Sequence, residues 1–231
     1  MQDLSRIRPH FDANKFTGTI AVVGLGAIGS RVACLLNDIG LGRCLHLYDG
    51  DKVEAHNLSS QVYRNADIGR YKVEALEYML ARKWGEPTDR IEHHTARFVT
   101  TGKLRYDVVI MCVDSMKTRK HIMQQCVFLN GHTSFVMDAR ITATTIFSIG
   151  FNPLYPAQFK QYMEEAYDDP PEAQDLQQGG CAITPSVAPT AAIAASLLIT
   201  QLIQHIKGEL TVNEVVMNLK DYSVEARTYG S

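Results

Sequence analysis

Thr19-Ile20-Ala21-Val22-Val23-Gly24-Leu25-Gly26-Ala27-Ile28-Gly29 is the stretch that decides the fold. Its first half is a short β-branched run, suited to a strand buried on both faces. Its second half is Gly-x-Gly-x-x-Gly, followed by a helical pattern from Ser30 to Ile39 in which Val32, Leu35, Leu36 and Ile39 recur at helical spacing. In such a turn the first glycine permits a tight bend, the second lets a phosphate approach the backbone, and the third lets helix and strand pack closely. The helix N-terminus offers free N–H groups and the positive end of its dipole to an anion. Gly40 and Gly42 stop the helix, and Cys44 to Tyr48 is the next strand. Asp49 closes it, placed to accept hydrogen bonds from ribose hydroxyls. NAD, FAD, SAM and ATP sites share this pattern, and glycines kept only for tight packing are the competing reading.

Working outward, the periodicity predicts a helix over Lys72–Lys83, with Val73, Leu76, Met79 and Leu80 on one face. Strands are predicted over Ile91–Phe98 and Tyr106–Val113, a helix over Met116–Leu129, and strands over Ser134–Met137 and Thr144–Phe151. Strands alternating with helices indicate an α/β fold, a Rossmann-like doubly wound and mostly parallel sheet. From Asn152 to Gly180 the prolines Pro153, Pro156, Pro170 and Pro171 interrupt the pattern, so residues 152–180 read as a long crossover loop. A helix over Val187–Lys207 and antiparallel strands over Glu214–Leu219 and Tyr222–Thr228 complete the chain. Residues 1–231 are therefore expected to form one domain, 18–130 the nucleotide-binding half and 131–231 the completion of the sheet.

The 231 residues carry 23 basic and 25 acidic side chains, a formal charge of -2, with a pI near 6.4. That balance argues against a general nucleic-acid binder. It also hides an asymmetry: residues 151–180 hold Lys160 against Glu164, Glu165, Asp168, Asp169, Glu172 and Asp175, a net of -5. Met1 to Phe11 lacks the apolar core of a signal peptide. Ala188–Ile206 is broken by Thr190, Ser196, Gln201, Gln204 and His205, which reads as too polar for a membrane span. Cys34, Cys44, Cys112, Cys126 and Cys181 form an odd set without a C-x-x-C pair, so neither a disulfide framework nor a structural zinc is expected, and a cytoplasmic location is. His93 and His94, adjacent on a predicted strand, point to opposite faces and are not expected to share a metal.

The residues after Asp49 are more specific. Asp49-x-Asp51-x-Val53-x-x-x-Asn57-Leu58-x-x-Gln61, then Asp67-x-Gly69-x-x-Lys72, resembles the ThiF/MoeB and ubiquitin-activating-enzyme (E1-like) adenylyltransferase family, as does Asp107-x-x-x-x-x-x-Asp114-Ser115-x-x-x-Arg119. The resemblance covers residues 18–130 by motif and the remainder by layout. It implies ATP and Mg²⁺ as cofactors, with Asp49 on the ribose, Lys72 on the phosphates and Asp114 on the metal. The implied substrate is the C-terminal carboxylate of a ubiquitin-like or sulfur-carrier protein, or of a peptide, and the implied assembly is a homodimer. The chemistry agrees: a cation neutralises phosphate charge, a carboxylate at the end of a parallel strand ligates Mg²⁺, and Asn57 and Gln61 donate hydrogen bonds to phosphate oxygens. Taken singly, Lys72 reads as a solvated lysine, Asp114 as a helix cap and Asn57 as a turn residue.

One position departs from the pattern. Ser60 stands where the family's N-L-x-R-Q arginine is expected, and serine supplies no charged fork to phosphate oxygens. Arg64 shares a face with Ser60 if the segment is helical; Arg6 and Arg8 are the other candidates, because relatives often carry an N-terminal arginine that enters the partner subunit's site. Some members of the family that the chain resembles use a cysteine in or after this segment to take the acyl group as a thioester, which implies that role for Cys181, after Gly179-Gly180, against the plainer reading of a small buried residue. Three other readings stay open: adenylation of a peptide or small carboxylate in a tailoring pathway, a non-catalytic scaffold subunit, and an NAD-dependent oxidoreductase. The last leaves Asn57, Gln61, Lys72 and Asp114 unexplained.

Overall fold

The computed structural model describes residues 2–84, 92–94, 106–124, 132–166 and 188–230. Among the described residues eight strands form one sheet: β1 (Ile20–Val23), β2 (Leu45–Tyr48), β3 (Glu92–His94), β4 (Val108–Met111), β5 (Phe135–Ile141), β6 (Thr145–Phe151), β7 (Glu214–Asn218) and β8 (Ser223–Arg227). Their order is β3-β2-β1-β4-β5-β6-β7-β8. Pairs from β3 through β5 are parallel, and those from β5 through β8 are antiparallel. The expected Rossmann-like doubly wound sheet with antiparallel C-terminal strands is thus the fold observed.

Period-2 alternation divides the core. Ile20, Val22, Leu45, Leu47, Val108, Ile110, Phe135 and Met137 face α1 (Gly29–Asp38), α2 (Lys72–Trp84) and the long C-terminal helix Ala188–Lys207. Ala21, Val23, Val109, Met111, Val136 and Phe151 face α3 (Met116–Gln124) and α4 (Pro156–Ala166). Both faces are covered, which is why β1 and β4 read as unbroken apolar runs.

The chain reverses its order of crossing between β1 and β4, and Cys112 N–H bonds the Val23 carbonyl at 2.8 Å there. Ligand crevices of open α/β sheets lie at this switch point, outside the carboxyl ends of the strands. Gly24 turns away from it with φ +86.

The expectation of an irregular 152–180 loop is corrected over its first part by α4. Pro156 sits at the first helical position, where its missing N–H costs nothing and its fixed φ starts the helix. Asn152 prepares the turn by accepting the Leu154 N–H at 2.9 Å. Phe159, Tyr162 and Met163 then pack under the sheet. Residues 167–180, and Cys181 after them, lie outside the described residues.

The C-terminal helix, α5 (Ala188–Lys207), is long and apolar enough to cross a membrane by length and composition, which corrects the expectation that its polar residues rule a span out. Here it packs Ala191, Ala194, Ala195, Leu198 and Leu202 into the core, and Gln201 accepts the Ser148 hydroxyl at 2.7 Å. The N-terminal turn around Ile7 lies at the other end of α1 from Gly29, because Gln2 donates to the Asn37 and Asp38 carbonyls.

Candidate active site

The glycines of the first turn do different work. A Cβ on Gly29 would overlap the Gly24 carbonyl oxygen, and one on Gly24 would lie 2.8 Å from the Cys112 carbonyl, so both are required by the protein's own packing. Among the described residues a Cβ on Gly26 would meet nothing within 4 Å. Packing alone therefore accounts for Gly24 and Gly29 but not for Gly26, whose bare backbone leaves room for something from outside. No side chain caps α1, and its first turn holds no acid. That cradle suits a phosphate.

Leu25, between the glycines, is held from both sides. Its N–H donates to Asp49 Oδ2 at 2.7 Å, and its carbonyl accepts the Tyr63 hydroxyl at 2.9 Å. Tyr63 is 5% exposed, and burial, reinforced by the Asp49 charge, pushes its phenol well above the ordinary value. Burial also raises Asp49, against the lowering effects of Lys72 and of the Leu25 and Asp51 N–H groups.

Lys72 is delivered by a short antiparallel pairing. Val53 N–H bonds the Arg70 carbonyl and Gly69 N–H the Val53 carbonyl, both at 2.9 Å, while Gly69 turns at φ +85. Lys72 N–H then bonds the Asp51 carbonyl, and α2 starts with Lys72. Its ammonium is 3.0 Å from Asp51 Oδ2 and 3.9 Å from Asp49 Oδ2. Only 6% exposed, Lys72 is not the solvated lysine that its type alone would suggest.

Asp114 lies just past the end of β4, two residues after Cys112, whose carbonyl a Cβ on Gly24 would meet. It is exposed, and the hydroxyl of Ser115, accepting the Thr118 N–H at 3.2 Å, takes the place of an aspartate cap on α3. Arg119 of the same motif is buried: it pairs with Asp138 and donates to the Ala139 carbonyl at 3.2 Å. Asp138 also takes Arg140 and the Tyr162 hydroxyl, so this arginine ties α3 to β5 and α4.

Asn57 spends its Oδ1 on the Glu54 N–H at 2.9 Å, which makes it the turn residue of Ala55–Ser59 and leaves its amide N–H groups as donors. Gln61 Oε1 is buried and has no hydrogen-bond partner among the described residues. The helix that would put Arg64 on the face of Ser60 is not formed: two 3-10 turns, Ala55–Ser59 and Asn65–Asp67, replace it. Arg64 is instead committed to Asp67, at 3.0 and 3.1 Å. Arg6 and Arg8 are exposed beside the C-terminal end of α1, roughly 15 Å along that ten-residue helix from its start. The group that does reach Ser60 is Arg31, whose Nη2 donates to the Ser60 carbonyl at 3.1 Å.

Sequence reasoning misses Arg31 and Tyr63. An arginine in the first turn of a helix, against the dipole, is the available signal for the one; an aromatic within a polar motif is that for the other. Among the described thiols, burial pushes Cys34 up to about 11 and Cys112 to about 12, and raises Cys44.

A glycine cradle at the switch point of a doubly wound sheet, backed by an acid after β2, defines a Rossmann-type domain. The profile of the ThiF family matches residues 4–229, and the chain belongs to that family. It is 35% identical over 116 residues to adenylyltransferase and sulfurtransferase MOCS3-2 of Zea mays, across 48% of this chain and 24% of that protein. It is 32% identical over 126 residues to ubiquitin-like modifier-activating enzyme 5 of Xenopus laevis, across 48% and 31%. The matched segment thus spans about a quarter to a third of these relatives. In three dimensions E. coli MccB crystallised with ATP has a TM-score of 0.72 at 17% identity, covering 94% of this chain and 66% of that one. PaaA has a TM-score of 0.71 at 18% identity, covering 93% and 74%.

Proposed function

We propose that the chain is an adenylyltransferase that uses ATP and Mg²⁺ to activate a C-terminal carboxylate. The observation that carries this reading is the cradle at Gly26, open to a ligand and rigidly backed by Asp49 and Tyr63 through Leu25. The names of relatives agree with it: adenylyltransferase, ubiquitin-like modifier-activating enzyme, and a structure of MccB with ATP.

In this reading Asp49 accepts the ribose hydroxyls and the α1 N-terminus receives phosphate oxygens. Lys72, held ready by Asp51, turns to the phosphates when the nucleotide enters, with Asn57 and Gln61 as further hydrogen-bonding groups. A substrate carboxylate oxygen attacks the α-phosphorus, the bond to the bridging oxygen of pyrophosphate breaks, and the acyl-adenylate forms. Positioning and charge stabilisation do most of this work. Asp114 would hold Mg²⁺, which with one carboxylate, phosphate oxygens and water completes its shell and offsets charge on the leaving group.

The substrate is a ubiquitin-like or sulfur-carrier protein or a peptide; MccB has been crystallised with MccA. We take the chain as one adenylation unit, working as a cytoplasmic homodimer. Carrier-dependent exchange of labelled pyrophosphate into ATP is the test. Exchange with a carrier or peptide ending in a free carboxylate is expected. ATP binding without exchange for any such partner would leave the scaffold reading in its place, and mass spectrometry of the adenylated species would separate carrier from peptide.

A further inference from the structure

We propose that Arg31 supplies the phosphate-facing cation that this chain lacks at Ser60. The inference rests on the proposed nucleotide site and concerns a residue outside the motifs that led to it.

Arg31 is the third residue of α1, on the first turn after Gly29. A positive charge there opposes the helix dipole and is unfavourable unless an anion offsets both. No acid stands in that turn, and the guanidinium has no ion pair among the described residues. Among the described residues the one hydrogen bond of its guanidinium runs across 29 positions of sequence to the Ser60 carbonyl, at 3.1 Å. A guanidinium therefore stands against the residue where the pattern wants one, delivered from the helix behind the glycine cradle rather than from the turn in front of it.

A second observation points to a ligand. Among the described residues Arg31 Nε is buried and unpartnered, and so is Ser30 Oγ beside it. Ser30 is 0% exposed. Buried polar atoms without partners are rare and costly, and here two donors sit side by side on the turn that Arg31 joins to Ser60. Phosphate oxygens would satisfy the N–H and hydroxyl donors. A polar ligand held by the Arg31 fork also meets the geometry that arginine, unlike lysine, presents to phosphate.

Calorimetric titration of ATP and adenosine into the full chain separates this role from a purely structural one. Arg31→Gln keeps an N–H donor for the Ser60 carbonyl and removes the charge. It is expected to weaken ATP about ten- to a hundredfold while leaving adenosine within about twofold. Ser60→Arg added to Arg31→Gln is expected to recover most of the loss, because the cation returns from the other side of the gap. Equal effects on ATP and adenosine, no effect on either, or no recovery in the double variant would overturn the proposal while wild-type ATP binding stands. Failure of the wild type to bind ATP would instead overturn the nucleotide reading, and this proposal with it. Arg31→Ala measured for thermal stability shows whether the Ser60 contact also carries structure, and Arg31→Lys is expected to retain part of the ATP affinity through charge alone.

Discussion

Asp49 Oδ2 accepts the Leu25 backbone N–H at 2.7 Å, so the acid at the end of β2 fixes the glycine turn at the end of β1. The bond puts an anion where burial disfavours it, and the Asp49 carboxyl is raised above the usual carboxylate value. A raised acid stabilises the fold below its unfolded pKa and loses that contribution as pH rises through the folded pKa. Asp49→Asn is therefore expected to gain stability relative to the wild type as pH rises above the ordinary carboxylate value of about 4 and ionisation of Asp49 sets in. Urea midpoints across that rise measure it. The same variant should bind ATP more weakly at neutral pH, because a ribose acceptor is removed.

The glycines separate packing from ligand binding. Gly26→Ala meets no atom of the described residues within 4 Å and needs no positive φ, so it should be neutral or stabilising by about 0.4–1 kcal/mol, with ATP affinity falling at least about tenfold. Gly29→Ala drives a methyl into the Gly24 carbonyl and should abolish folding or lower the melting temperature sharply. Thermal denaturation with a parallel nucleotide titration distinguishes them, and equal loss of stability in both would count against an open cradle.

Asp67 behaves oppositely to Asp49. Burial pushes its carboxyl up, but the Arg64 side chain and N–H, with the Arg64 and Arg70 charges, outweigh it and bring the acid below the usual carboxylate value. Its contribution is complete above the unfolded pKa and is lost as pH falls through the lower folded value. Asp67→Asn should destabilise at neutral pH, and the gap to wild type should close only below about pH 4. Denaturation midpoints from neutral to acid pH provide the check.

Asp138 is 0% exposed and takes Arg119, Arg140 and the Tyr162 hydroxyl. Asp138→Ala strands the buried Arg119 charge and should cost about 3–5 kcal/mol. Tyr162→Phe removes the hydroxyl that donates to the same carboxylate and should cost about 1 kcal/mol. Similar losses from the two would show that the arginine is not the group that depends on Asp138.

Cys34, Cys44 and Cys112 hold raised thiols, so alkylation of the native chain at about pH 8 should be slow at all three and accelerate as pH climbs. Peptide mapping after a short exposure reads the labelled positions. Rapid labelling at Cys181 under the same conditions would support its use as an acyl acceptor; labelling there no faster than at Cys34 would remove that role.

Local order is readable where one residue type allows one backbone. Gly24, Gly29 and Gly69 mark the turns around which β1, α1 and α2 assemble, and the apolar runs of β1 and β4 announce strands covered on both faces. Pro156 misleads because proline ends a pattern and starts a helix with equal ease, and only the Asn152 turn and the packing of Tyr162 decide between them. At the site, Lys72 and Asp49 stand out by spacing. The Arg31–Ser60 contact does not, because it joins two segments whose proximity depends on the folded sheet.

Ser115 holds the cap of α3, and that division of labour changes what natural variation at this strand end means. A library screened only for folding would keep position 115 among the small capping residues and let position 114 drift, since the exposed Asp114 contributes no cap. Fixation of aspartate at 114 would need selection for activity, so the ratio of tolerance at these two neighbouring positions reports directly whether a chain of this kind is kept as a catalyst or only as a fold.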